Sequence, residues 1–383
     1  MKEDGVAALL AGTRVCVVGG SGGVGKTTTS AAIAAGMAAR GLKVAVVTID
    51  PAQRLATALG LDELGNEPHR IEPGSFADAG LPLGDGELWA MTLDPKRTFD
   101  ELIEKLAPDD ATREQILANR VYRELSDAIA GSQEFTAVAK LYDLAREGYW
   151  DLLVLDTPPS RNALDFLDAP DRLAAFFEGR ALQALLRGGG AGLRLIGRGT
   201  GLVLGLLKRV TGAELLSDLS DFFRLLGGLL GGFRERAAQV EELLRADGTT
   251  FLLVTSPERE PIEEAIYFRR RLRAAGMALG GAIVNRVHAD EPGTDGALED
   301  LPALLEAEAG LSPALADRVA AAFADEHALA RRDAANVAQL RERLGAGVPL
   351  LQVPLLDGDV HDVGGLVRLG AELFAHRGGP GAK

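Results

Sequence analysis

Eight residues near the start of the chain, Gly20-Ser21-Gly22-Gly23-Val24-Gly25-Lys26-Thr27, satisfy the pattern G-x-x-x-x-G-K-[ST] and constrain the fold more than any other stretch. They follow an apolar, β-rich run at residues 14–19 (RVCVVG) and precede a small-residue, helix-like stretch at residues 26–40. A second apolar run, residues 43–49 (KVAVVTI), ends at Asp50-Pro51. Strand, glycine loop, helix and strand make a βαβ unit, which requires a parallel sheet. Glycines let the loop curl so that successive N–H groups point at phosphate oxygens, and the helix adds the partial positive charge of its N-terminus. In such a loop Lys26 reaches the β- and γ-phosphates and the Thr27 hydroxyl binds magnesium. With 47 glycines in 383 residues a chance match has to be weighed, but the strand before the loop and the helix after it argue against one. The expected ATP-binding set is Gly20, Ser21, Gly22, Gly23, Val24, Gly25, Lys26, Thr27 and Thr28.

Further strands are expected at residues 87–93, 151–155, 250–255, 279–284 and 349–353. The unbroken apolar character of LLVL and FLLV suits strands buried on both faces. Residues 95–149 read as helical, as do 261–275, most of 297–344, and 363–376. No strand signal occurs from 170 to 247, a stretch with glycine clusters at 188–190 and 227–232. The expected architecture is an α/β P-loop NTPase, with a mostly parallel twisted sheet flanked by helices and an inserted α-helical subdomain. Its segments are a first part of the nucleotide-binding core (1–94), a helical segment (95–149), a core strand with a switch (150–168), the helical subdomain (169–247) and the second part of the core (248–383).

Two acidic residues complete the expected site. Asp156 ends the apolar run LLVLD, where P-loop enzymes carry their magnesium-side aspartate, acting directly or through water. Asp50 ends the second strand, at the end of a parallel sheet where ligands bind. It reads two ways, as the group that orients or deprotonates the attacking water, or as a turn residue ahead of Pro51.

The chain carries 41 basic and 55 acidic residues, a net charge of -14, which disfavours non-specific nucleic-acid binding by its whole surface. Cys16 is the single cysteine, so an internal disulfide, a multi-cysteine zinc site and an iron–sulfur cluster are excluded. Its apolar surroundings predict a buried, inert thiol. The acidic residues within the first ten positions do not suit a secretory signal. The uncharged run at 199–207 falls far short of the ~20 residues that span a bilayer. A cytoplasmic protein without a transmembrane segment is expected.

Four segments in order, GGSGGVGKTTT, TIDPAQRLATALGL, DTPPSRNALDFLDAP and VPLLDGDVHD, resemble the ArsA family of ATPases. That family contains the arsenite-pump ATPase and the eukaryotic ATPase that targets tail-anchored membrane proteins. The likeness covers nearly the whole chain and is nearest to a bacterial ArsA-like branch. It implies hydrolysis of ATP, with magnesium, to drive opening and closing of a dimer. Residues 50–53 (DPAQ) match switch I, whose aspartate positions the hydrolytic water, and this favours the catalytic reading of Asp50. Residues 156–160 (DTPPS) match switch II, which links the γ-phosphate to the helical subdomain. The resemblance places Asn285, followed by Arg286, where the family's adenine-contacting asparagine lies, and Pro354 near the base. From the residues alone, Asn285 reads as a strand-end turn and Pro354 as a loop proline.

The departures matter as much. Family members carry a second loop lysine, in the pattern GKGGVGKT, which reaches the partner subunit's phosphates; Ser21 stands in its place here. Losing a cation supplied in trans slows phosphoryl transfer by on the order of 10^3-fold or more. Arg54 and Arg161, each beside a switch, are candidate substitutes, and the alternative is a heterodimer with a paralogue that keeps the lysine. The cysteine patterns for arsenite or a dimer zinc do not occur. The stretches LRLIGRGTGLVLGLLKRV and DFFRLLGGLLGGF read either as packed core or as a groove for a hydrophobic helix or lipid-like client. Three functions follow: an ATPase acting on a partner or client, a weakly active regulatory subunit, and a chaperone for membrane-protein clients.

Overall fold

The computed structural model describes residues 5–50, 53–120, 122–123, 133–157, 221–222, 224–288 and 300–375. Its strands are β1 (Val15–Gly20), β2 (Lys43–Thr48), β3 (His69–Arg70), β4 (Glu87–Thr92), β5 (Leu152–Asp156), β6 (Thr249–Thr255), β7 (Leu279–Val287) and β8 (Leu350–Pro354). The helices are α1 (Val6–Leu9), α2 (Lys26–Ala38), α3 (Arg54–Ala58), α4 (Pro73–Asp78), α5 (Pro95–Leu106), α6 (Asp110–Ala118), α7 (Gln133–Glu147), α8 (Leu230–Arg245), α9 (Arg259–Ala274), α10 (Leu301–Ala309), α11 (Pro313–Leu344) and α12 (Val363–Phe374).

The strands form one sheet in the order β3-β4-β2-β5-β1-β6-β7-β8. Every pairing is parallel except the two-residue edge pairing of β3 with β4. The central strands β1, β5 and β6 are buried along their whole length, as their continuous apolar sequences require. Their side chains alternate between two cores. Cys16 and Val18 face a cluster built with α2, α4 and α12, whereas Val15 and Val17 face one built with α7, α8, α9 and α11. Helices therefore cover both faces of the sheet, which is the architecture expected of a P-loop NTPase.

α2 shows why the phosphate loop is rigidly mounted. Small residues surround this helix on nearly every side, and it is buried almost throughout, between the sheet and α12. A Cβ on Gly36 would stand 2.1 Å from the Phe374 ring, so glycine is what lets α12 close over α2.

A helical layer is tied across its members by charge and aromatic contacts. Asp143 of α7 takes Lys105 of α5 at 2.6 Å and Arg236 of α8 at 2.7 Å. Lys140 reaches Glu101 at 2.8 Å, and Phe99 stacks between Tyr122 and Phe233. The buried Asn66 joins this layer to the sheet. Its amide donates to Glu101, and its carbonyl accepts from the Asp94 backbone N–H and the Thr98 hydroxyl. At the N-terminal ends of the strands, Trp89, Tyr149 and Trp150 meet edge to face, with centroids 4.8–6.2 Å apart. Glu87 accepts hydrogen bonds from both Trp89 and Tyr149 there.

Residues 221–222 and 224–228 and α8 are helical. The remainder of that segment, with the switch residues after Thr157, lies outside the described residues.

Candidate active site

β2, β5 and β1 lie side by side, so their C-terminal ends bring three segments together. Asp156, the last residue of β5, is flanked in register by Val18 of β1 and Thr48 of β2. β5 thus separates β2 from β1, and Asp50 approaches the glycine loop across the end of β5 rather than from the adjacent strand.

Sterics dictate the loop's glycines. Gly25 caps α2 in the left-handed region at φ 90°, and a Cβ there would lie 2.6 Å from Asn285 Nδ2. A Cβ on Gly20 would lie 1.9 Å from the Val254 carbonyl oxygen. Lys26 curls back along the loop, and its Nζ donates to the Ser21 carbonyl at 2.7 Å. Burial pulls the Lys26 pKa below the ordinary lysine value, while the negative charges of Asp156, Asp50 and Glu264 act in the opposite direction.

Asp156 is 2% exposed. Thr27 Oγ1 donates to its Oδ2 at 2.6 Å and Thr48 Oγ1 to the same oxygen at 2.8 Å. The other oxygen, Oδ1, is buried and accepts no hydrogen bond from the described residues. Burial pushes the Asp156 pKa up to about 6, although the two hydroxyls and Lys26 pull it down. An all-oxygen donor pair with a buried carboxylate oxygen to spare fits a hard divalent cation such as Mg²⁺.

Asp50 lines the same cleft; its backbone N–H donates to Thr48 Oγ1 at 3.2 Å. Arg54 Nη1 lies 3.7 Å from Asp50 Oδ2, with the arginine side chain 68% exposed. Arg161, the other cation considered, lies outside the described residues.

Across the loop, Asn285 Nδ2 donates to the Val24 carbonyl at 3.0 Å, and Arg286 Nη1 to that of Gly23 at 3.2 Å. The pairing of β7 with β8 shifts register between Val284 and Val287, and such irregularities re-aim side chains. Arg286 sits there at φ 61°; Gln53, at the start of α3, is the other described non-glycine residue with positive φ. Both flank segments that line the cleft, where backbone strain tends to collect.

The cleft has a volume of about 870 Å³. Of the residues expected from the sequence, Gly22, Gly23, Gly25, Lys26, Thr27, Thr28, Asp50, Asp156, Asn285, Arg286 and Pro354 line it together. Gly20, Ser21 and Val24 stand behind the lining, where the carbonyls of Ser21 and Val24 hold Lys26 and Asn285. Sequence reasoning missed Thr48, whose hydroxyl bonds Asp156 behind the cleft, and it missed the wall formed by Leu355, Leu356, Asp359, Val360 and His361. The motif VPLLDGDVHD contained that wall, but only its proline was singled out.

The family model described as "Anion-transporting ATPase" matches residues 13–198, from β1 and the loop through Asp156. Residues 13–198 belong to the ArsA family of P-loop ATPases. Relatives of this ArsA-family ATPase include "ATPase get3" of Aspergillus terreus, 26% identical over 73% of this chain and 74% of the relative. "ATPase ASNA1 homolog" of Babesia bovis is 27% identical over 70% of this chain and 65% of its own length. "ATPase ARSA2" of Chlamydomonas reinhardtii is 28% identical over 70% and 67%. Among the described residues of the ATPase, no helix is long and apolar enough to cross a membrane.

Proposed function

We propose that this ATPase hydrolyses ATP to ADP and phosphate in the cleft at the strand ends, with magnesium, and that the cycle opens and closes a dimer in the cytoplasm. The convergence of Lys26, the Thr27–Asp156 pair and Asp50 on one cleft carries this reading. The loop N–H groups from Gly20 to Thr28 wrap the phosphates. Lys26 binds the β- and γ-phosphate oxygens, whose negative charge favours the ammonium form that burial opposes. Asp50 orients the attacking water and takes its proton as the water oxygen bonds to the γ-phosphorus, while the bond from that phosphorus to the β–γ bridging oxygen breaks and ADP leaves with the electron pair. Asn285, Arg286 and Pro354 form the base side of the site. Thr27 and Asp156 would hold the magnesium ion, which neutralises phosphate charge when bound.

Phosphate release and nucleotide binding by purified variants test the assignment. Lys26→Ala loses nucleotide binding, whereas Asp50→Asn binds ATP yet turns it over at least tenfold more slowly. Unchanged turnover in Asp50→Asn removes Asp50 from the mechanism.

Ser21 favours a second reading. It is 6% exposed and brings no positive charge to the loop. The subunit then works slowly alone and gains its missing cation from a paralogue that carries the loop lysine. Mixing the two chains raises hydrolysis sharply in that case. Brisk turnover by the lone homodimer assigns the charge to Arg54 or Arg161 instead. The leucine- and glycine-rich subdomain is the proposed contact for a hydrophobic helix or lipid-like client.

A further inference from the structure

Thr48 ends β2, and at 1% exposure it passes for one more β-branched core residue. Its hydroxyl nevertheless makes two hydrogen bonds that a valine could not. It donates to Asp156 Oδ2 at 2.8 Å and accepts from the Asp50 backbone N–H at 3.2 Å. A hydroxyl has one proton, and an ionised carboxylate can only accept. The direction is therefore fixed, from the Asp50 amide through Thr48 to Asp156. Thr27 places its own proton on the same carboxylate oxygen at 2.6 Å. Two hydroxyls thus occupy Oδ2, and Oδ1 is left buried with no partner among the described residues.

We propose that Thr48 is a positioning residue, whose hydroxyl fixes the Asp156 carboxylate so that Oδ1 stays available to the metal, and at the same time pins the backbone where Asp50 begins switch I. The proposal rests on the reading of Thr27 and Asp156 as the metal-side pair. The arrangement explains how strands β2 and β5 keep two functional carboxylates in fixed relation although Asp50 lies beyond its strand end. One buried hydroxyl contacts both segments at once.

Thr48→Val removes the hydroxyl and keeps the branched shape, while Thr48→Ser keeps the hydroxyl and loses a methyl. Two readouts are taken on folded protein. The first is amide hydrogen exchange at Asp50 in metal-free protein, resolved to the single site. The second is the affinity for a non-hydrolysable ATP analogue with Mg²⁺ and with a chelator. In Thr48→Val, loss of one hydrogen bond accelerates exchange at Asp50 about fivefold and weakens the Mg²⁺ enhancement of binding by a similar factor. Thr48→Ser restores both. Wild-type exchange and wild-type Mg²⁺ response in Thr48→Val overturn the proposal. Equal impairment in Thr48→Ser also overturns it, because packing then explains the effect. If Thr48→Val does not fold, Thr48→Ala carries the same comparison. Thr27→Ala separates the two levels: if it keeps the Mg²⁺ response, the metal-side pair itself is wrong, and if it alone loses that response, only the role of Thr48 falls.

Discussion

Replacing Asp156 with asparagine separates the stability of the cleft from its chemistry. The carboxylate is buried, with two hydroxyls on one oxygen and no described partner on the other. Burial pushes its pKa up to about 6, against the pull of Thr27, Thr48 and Lys26. In an unfolded chain an aspartate titrates at about 3.9. Between these two values the folded state binds the proton more tightly than the unfolded state. Stability therefore falls as pH rises from about 4 to about 6 and stays lowered above that. At about 1.4 kcal/mol for each pH unit, the ionised carboxylate costs the metal-free protein about 3 kcal/mol near neutral pH. Asparagine is neutral and keeps an acceptor for both threonines, but it buries an amide N–H₂ without a partner, at a cost of about 1–2 kcal/mol. Asp156→Asn should thus stabilise the metal-free protein by about 1–2 kcal/mol. Urea unfolding in chelator, repeated across pH, measures this. The advantage of the variant should be largest near neutral pH, cross zero near pH ~5, and become a deficit of about 1–2 kcal/mol below pH ~3, where the wild-type carboxylate is protonated in both states. With Mg²⁺ and ATP the order should reverse, because only the wild type gains stability from the bound ligand. A variant less stable than wild type in chelator near neutral pH, or a stability difference that does not change with pH, refutes the reasoning.

Gly25→Ala forces a side chain into a left-handed residue and against Asn285 Nδ2; strain of about 1–2 kcal/mol plus the lost Asn285–Val24 bond should weaken ATP binding about 30- to 100-fold in calorimetric titration. Asn66→Ala removes the acceptor for the Asp94 amide and the Thr98 hydroxyl and the donor to Glu101, and should lower unfolding stability by about 2–3 kcal/mol in urea. Asp333 is buried; burial pushes its pKa up, but bonds from His288 and Arg332 overcome this and hold it below the usual carboxylate value. Its contribution is present above the unfolded pKa and lost as pH falls through the folded one, and Asp333→Ala should cost about 3 kcal/mol near neutral pH by the same assay. Cys16 is fully buried and burial pushes its thiol pKa up, so maleimide labelling should follow global unfolding and be negligible in native protein.

The sheet was legible because its central strands are buried on both faces and must read as unbroken apolar runs, as in residues 152–155 and 251–254. β3 was not, since its two exposed residues carry no such pattern. Strand order was also hidden. Nothing in residues 43–50 says that β5 intervenes between β2 and β1, because crossover topology is set by long-range packing. The loop announced itself through steric demands local to eight residues. Thr48 did not, because a threonine closing a strand has the same local pattern whether its hydroxyl is functional or merely tolerated. Its partners lie 2 and 108 positions away. For Asn285, the likeness to ArsA proteins implied a place beside the base, and its bond to the Val24 carbonyl, which spans 261 positions, had no local sequence signal.

The aromatic cluster at the N-terminal ends of the strands has a consequence for spectroscopy. Trp89 and Trp150 are the only two tryptophans, and they share one neighbourhood at the end of the sheet opposite the cleft. Intrinsic emission excited at the indole band therefore reports the melting of that edge and is insensitive to occupancy of the cleft. A fluorophore meant to follow the nucleotide cycle has to be introduced near α3 or the β8–α12 loop, where the native chain is optically silent.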